Sequence, residues 1–402
     1  MHNIASKASN SYARVTGFDV DDFCVDVYYW FEKSTKRKQS LSDFCSLCDS
    51  AYAKMLKHVS TRWLSLESAV SRILLKYAGL KSYFLSNDDN NARFKRLQEK
   101  FEDPLTEVHL LFFQAVLQQF VQVNKFMQLE NPLLPILFDV LHDFLRKLCC
   151  RFLDVKKIKQ VGAELVDYED DQVKKADAQL DIGFTTKALL AKLTDEGHDP
   201  QKFYDGVRSF YEKACSYARS ALPLSDPLLK NARFLNFARR ESADVSEVEY
   251  FVGRFSSLLP FSSDPTKMNQ LGDEYVSYQL LEKGDVPADV WENATIYPEE
   301  SSSLKPSIYS MDLIWAHLAT KTNVDGSSQF PLLSQVAQLA LTIPHSNASE
   351  ERVFSLVRKN KTPFRPNLDP EETLGNIVTT KMALSDVPAF TFEPPKAHCS
   401  KS

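Results

Sequence analysis

Ile343-Pro344-His345-Ser346-Asn347-Ala348-Ser349-Glu350-Glu351-Arg352-Val353-Phe354-Ser355 reads as a turn feeding a short, capped, half-buried helix. Pro344 ends whatever precedes it, because the residue before a proline is pushed out of the α region. Asn347 followed three residues later by Glu350 has the spacing of a variant capping box. Val353, Phe354 and Val357 then supply an apolar stripe at helical period. Glu351 and Arg352 fall in the first turns, where the positive end of the helix dipole favours a carboxylate. Local physics therefore gives a capped amphipathic helix with a carboxylate beside an arginine.

The neighbouring sequence continues in the same vein. Upstream stand Trp315, then Phe330-Pro331-Leu332-Leu333 and an apolar helix from Val336 to Leu341. Downstream, Arg358-Lys359-Asn360-Lys361 leads to Phe364-Arg365-Pro366-Asn367-Leu368 and a helix from about Glu371 to Ala383. Between 297 and 306 the chain is polar, proline-bounded and without periodicity, which marks a linker, so a C-terminal module starts near Ser307. From about Pro388 the proline-bearing tail is expected to be disordered.

The rest of the chain is also read as helical. Eleven glycines in 402 residues is well under half the usual share of about 7%, which disfavours strand-rich and phosphate-loop architectures. Asp21 to Lys33, Trp63 to Phe84, Pro104 to Leu129, Pro132 to Phe152 and Asp199 to Ser220 all carry helical apolar spacing. Asp103 with Pro104 at the first helical position is a start signal. The Pro104 helix is apolar on most faces and is expected at the centre. Residues 1 to 20 look ragged, and 154 to 175 is charged and partly loop. Nothing repeats at a solenoid period.

Composition bounds the function. The length suffices for two or three domains, each burying a core. A net charge of −5 confines any nucleic-acid contact to a local patch. Seven scattered cysteines are no disulfide framework. No run of eighteen apolar residues suggests a membrane span, and no charged-then-apolar leader pattern opens the chain. The expected compartment is reducing: the nucleus, with the cytoplasm as the alternative.

The C-terminal signature closely resembles that of hAT-superfamily transposases, a motif of the form Pro-x-Ser-x-x-x-x-Glu-Arg-x-Phe-Ser. Trp315, the aromatic-Pro-x-Leu element and the helices on either side stand in the order of that family's C-terminal dimerisation region. Lys57-His58-Val59-Ser60-Thr61-Arg62-Trp63-Leu64-Ser65-Leu66 resembles the Thr-Arg-Trp block of animal hAT proteins, and Met1 to Ala8 resembles the middle of the family's Cys/His helix. The resemblance touches both ends of the chain and matches the middle only loosely. It implies a mainly α chain: a large all-helical insertion domain over 21–300, then the C-terminal remainder of an RNase H-like core over 307–385. Residues 1–20 would be a remnant of the upstream Cys/His segment, and 386–402 the disordered tail.

The family cleaves and transfers DNA strands with three carboxylates that hold divalent metals. Glu351 matches the third. The two aspartates belong before the Cys/His segment, so the resemblance implies a vestigial Glu351, no intact active site, and no cofactor or small-molecule substrate. On residue chemistry alone, Glu351 is a helix-cap carboxylate beside a base. Trp63 with Arg62 resembles the tryptophan that stacks on transposon-end DNA, an arrangement suited to a base face and a phosphate; a tryptophan opening an amphipathic helix more commonly anchors a core. Cys45-x-x-Cys48 with His58 lacks the second ligand pair of a structural zinc site, so no metal is expected. The basic clusters Lys33–Lys38 and Arg358, Lys359, Lys361, Arg365 could meet phosphate or serve nuclear import, or be solvated surface.

Three readings follow. The leading one is a non-catalytic, transposase-derived protein that forms a homo-oligomer through Trp315, Pro331, Leu332, Leu333, Leu339, Phe354 and Leu374, residues that could equally fill the chain's own core. The second is a nucleic-acid-binding remnant. The third is a fragment of a longer active DNA transposase.

Overall fold

The computed structural model describes residues 1–58, 64–296 and 308–384. The chain opens with helices α1 (His2–Thr16), α2 (Val20–Glu32), α3 (Thr35–Leu47), α4 (Leu64–Leu74), α5 (Tyr77–Ser86) and α6 (Ala92–Glu102). The long α7 (Leu105–Met127) and α8 (Leu134–Phe152) follow, then α9 (Val155–Val161), α10 (Phe184–Asp195) and the long α11 (Gln201–Ala221). Next come α12 (Pro227–Asn231), α13 (Val245–Arg254), α14 (Pro265–Gln279), α15 (Ala288–Ala294) and α16 (Met311–Leu318). The series ends with α17 (Leu333–Leu341), α18 (Ala348–Asn360) and α19 (Thr373–Ala383). The mainly α class is what the structure has. Among the described residues the one sheet is an antiparallel pair, β1 (Thr295–Ile296) with β2 (Ile308–Tyr309), two residues each.

Helix starts follow local chemistry. Asp19, Asp154, Asp226, Asp244 and Asp264 each accept backbone N–H groups of the turn they open, satisfying donors that have no partner within the helix. Asp103 does the same for Leu105 ahead of α7.

Two compact units result: residues 1–126 with 132–343, and residues 127–131 with the chain from Pro344 onward. The sequence-drawn linker at 297–306 and the tail from 386 lie outside the described residues. In the first unit α1 packs along α11 and α11 along α8. Gly206 of α11 sits where an added Cβ would lie 2.3 Å from Thr16 Cγ2 and 3.1 Å from Tyr12, so the close approach of α1 needs glycine there. Tyr12 also stacks on Phe112 of α7, and Phe112 meets Phe203, Phe210 and Tyr211 edge-on. The expected central position of α7 is borne out. A second aromatic cluster joins Trp30, Phe31, Tyr83, Phe84, Phe94 and Phe101.

Three local expectations need correction. The ragged first twenty residues form α1, because Ile4, Ala5, Ala8 and Tyr12 make a buried stripe whose small members look uninformative until α11 is laid against them. The single helix expected from Trp63 to Phe84 is two, broken at Leu75–Lys76. At the break Lys76 is buried, its ammonium 3.5 Å from Met55 Sδ and facing the Tyr52 ring; burial first, then Arg72, pulls its pKa down to about 8. The Asn347–Glu350 capping box is not made. Helix α18 starts where expected, after Asn347, but without a side-chain cap from that residue, and the Ala348 N–H points to Ser346 Oγ instead.

Candidate self-association surface

The residues singled out for self-association divide sharply by burial. In the first unit, Trp315 of α16 is buried and donates its indole N–H to the Leu235 carbonyl at 2.9 Å. Its ring lies 4.9 Å from that of Tyr278 and edge-on to Phe234. Phe330, Leu332 and Leu333 are buried too, and Pro331 and Leu339 are half-buried. Trp315, Leu332 and Leu333 are therefore spent on the interior of their own unit.

A carboxylate that sequence reading passed over holds this element in place. Glu274 of α14 is buried, and one carboxylate oxygen accepts the N–H groups of Leu332 and Leu333 at 2.9 and 2.8 Å. Gln270 donates to the other oxygen at 3.0 Å. Glu274 is thus a cap, supplied from another helix, for the start of α17, whose first N–H groups have no helical partner. Burial raises its pKa, and the Leu333, Leu332 and Gln270 donors pull it back in part. The partner lies 58 positions away, so no local pattern announces it.

The second unit is built from α18, α19 and the 127–131 turn. Ser346 donates to the Met127 carbonyl at 2.9 Å, and Arg352 donates to the Gln128 carbonyl at 3.1 Å. Arg352 also pairs with Glu130 at 3.0 Å. The signature arginine is thus a clamp on the turn. His345 sits against the same turn, where burial lowers its pKa and the Met127 and Leu129 backbone counteracts this. Leu374 and Val378 are buried on α19, α18 packs on α19, and Lys381 donates to Asn360 Oδ1 at 2.8 Å to tie them together. Leu374 therefore also serves the interior of its own unit.

Beside its charged surface, this small unit leaves several large apolar side chains outside. Phe354 is 66% exposed, Phe364 97% and Met382 48%. Val353, Leu356, Val357 and Ile377 are only half-buried. A lone exposed aromatic is ordinary, whereas this short unit exposes three large apolar side chains. Of the residues assigned to self-association, Phe354 is the exposed one. Phe364 and Met382 were not assigned, although Phe364 stood in the quoted motif.

The other assigned residues fall as follows. Glu351 is exposed in the first turn of α18. Arg358, Lys359, Lys361 and Arg365 are all exposed, with Arg358 and Lys359 in the last turn of α18 where the helix dipole favours cations. Arg62 and Trp63 lie outside the described residues. The first basic cluster is engaged locally: Arg37 donates to the Trp30 carbonyl and covers its ring, and Lys38 donates to the Glu32 carbonyl. Cys45 ends up buried against Gly79, while His58 bonds Ser65 and faces Asp21 at 3.2 Å. Among the described residues no three His, Cys, Asp or Glu side chains converge as metal ligands would, and no helix is long and apolar enough to cross a membrane.

Residues 321–382 match the family model of the hAT family C-terminal dimerisation region. The matched stretch straddles the division at Pro344, taking in α17 of the first unit and α18 and α19 of the second. No curated protein matches the chain. The family-model match supports an hAT-family transposase-like protein and lends support to a capacity for self-association in this C-terminal stretch.

Proposed function

We propose that this hAT transposase-like chain works by pairing with a second copy of itself through the exposed apolar side chains of α18, the following turn and α19. The observation that carries the reading is the exposure of Phe354, Phe364 and Met382 inside a stretch that matches a dimerisation region. A two-fold interface is self-complementary, so each anchor counts twice. Buried aromatics in the centre of such a patch dominate its energetics. The half-buried stripe of Val353, Leu356 and Val357 would supply the surrounding area.

We further propose that this role is non-enzymatic. Glu351, the residue matching the family's metal-binding glutamate, projects from an exposed helix start and belongs to no group of three potential metal-ligating side chains among the described residues. In this reading α17 and α18 are the helical remainder of an RNase H-like core, kept for assembly.

Light scattering across a dilution series tests the proposal. The wild-type chain is expected to give twice the monomer mass, and Phe354→Asp/Phe364→Asp to give a folded monomer. A wild-type monomer at tens of micromolar concentration would overturn it.

A second reading has its own observation: Phe364 is exposed among Arg358, Lys359, Lys361 and Arg365. An aromatic among cations suits single-stranded nucleic acid, the ring stacking on a base and the cations meeting phosphates.

A further inference from the structure

Cys149 of α8 and Cys215 of α11 face each other inside the first unit, their sulfurs 3.6 Å apart and both side chains fully buried. Tyr211, one helical turn from Cys215, stacks on Phe152 at 5.9 Å, and Arg219 covers the Tyr168 ring. The Tyr211–Phe152 stack thus holds the two helices together on one side of the sulfur pair. A disulfide needs a sulfur separation of about 2.05 Å, so closing the gap takes roughly 1.5 Å of combined side-chain and helix movement. Sixty-five residues lie between the two cysteines in sequence, making the pair a long-range staple rather than a local link. No other sulfur-to-sulfur contact of this kind occurs among the described residues.

We propose that Cys149 and Cys215 are a latent disulfide site, which oxidation converts into a covalent staple between α8 and α11. The oxidant is a small-molecule disulfide. One cysteine thiolate attacks it, forming a mixed disulfide and releasing one thiol. The second cysteine thiolate then attacks the sulfur on the protein side, forming the Cys149–Cys215 bond and releasing the second thiol. Two protein thiols are oxidised, and one small-molecule disulfide is reduced to two thiols. Burial raises the Cys215 thiol pKa well above its ordinary range, and buried thiols react slowly. The site is therefore protected in the closed fold and reacts through transient opening of α8 from α11. The product constrains the unfolded chain over a long loop, which stabilises the oxidised form.

The full chain is incubated with oxidised glutathione, quenched with acid and digested with trypsin without reduction. Cleavage after Lys147, Arg151, Lys213 and Arg219 puts Cys149 in Leu148–Arg151 and Cys215 in Ala214–Arg219. The expected product is these two peptides joined, retained in Cys150→Ser and lost in Cys149→Ser. It should form several-fold faster in mild urea below the unfolding transition. The cross-linked chain should melt roughly 5–10 °C higher than the reduced one, a shift that Cys215→Ala abolishes. Circular dichroism on each variant checks that it folds. Linkage through Cys150, mixed disulfides that never resolve, or a cross-link without any rise in melting temperature would each overturn the proposal.

Discussion

Acidification should destabilise the first unit through one buried imidazole. His109 of α7 is buried, stacked on Phe18 at 4.6 Å and bonded through Nδ1 to the Tyr12 hydroxyl. With the Tyr12 hydroxyl as donor, Nδ1 accepts and a neutral ring carries its proton on Nε2. Burial, with smaller contributions from Lys100 and Lys202, depresses the His109 pKa from 6.5 to about 3. Above pH 6.5 the ring is neutral in both the folded and the unfolded chain, and its titration contributes nothing. Below 6.5 the unfolded ring binds a proton that the folded ring does not, so stability falls with pH until about pH 3. Each pH unit in that window costs about 1.4 kcal/mol. Between pH 7 and pH 4.5 the loss from this ring is therefore about 2–3 kcal/mol, a large part of an ordinary domain's stability. Urea unfolding followed by tryptophan fluorescence, at half-unit steps of pH, reads it directly. His109→Gln is the control, since its amide oxygen still accepts from Tyr12 and does not titrate. The wild type should lose about 2–3 kcal/mol more than the variant over this range, with unchanged m-values. Parallel curves within about 0.5 kcal/mol would refute the reasoning.

Glu274→Ala leaves the Leu332 and Leu333 N–H groups without acceptors and should cost about 2–4 kcal/mol, measured by the same urea transitions. Glu274→Gln should cost less, and because the folded carboxyl pKa is raised, the wild type should lose ground to it as pH rises. Gly79→Ala should destabilise by about 1–3 kcal/mol despite alanine's better helix propensity, since its Cβ would lie 2.7 Å from Cys45 Sγ and 2.9 Å from Cys45 Cα; a stabilised variant would contradict the packing. Arg352→Ala should speed proteolysis of the chain after Pro344 by releasing the 127–131 turn, while Glu351→Ala should leave it near the wild-type rate. If the basic cluster binds nucleic acid, single-stranded oligonucleotide affinity should fall steeply with salt, with a logarithmic slope of up to about −3 for four phosphates, and weaken in Phe364→Ala. Absence of binding at low salt would remove that reading.

Much of the helical architecture was legible because its signals are local. An aspartate at a helix start satisfies backbone donors two or three residues on, so Asp103 marks a boundary whatever the rest of the chain does. The start of α18 was legible for the same reason, although the side chain expected to cap it does not. The break at Leu75–Lys76 was not legible, because the leucines and tyrosine on either side keep one helical stripe through it. Residue periodicity alone does not mark the first helix, because alanine and serine acquire meaning only against the groove at Gly206.

The sequence by itself determined that this chain is mainly helical and where its dimerisation-like region lies, through short-range capping, periodicity and an ordered motif. Only the tertiary structure decided which apolar residues of that region face inward. Leu332 and Leu333 look no different in sequence from Phe354, since an apolar stripe has the same period whether it meets its own core or another molecule. The difference comes from partners distant along the chain: Glu274 caps the α17 start and Tyr278 receives Trp315, while the short second unit has too few side chains to cover Phe354 and Phe364. Burial is a property of the assembled fold, and that is why the surface proposed for self-association could be located only after the helices were in place.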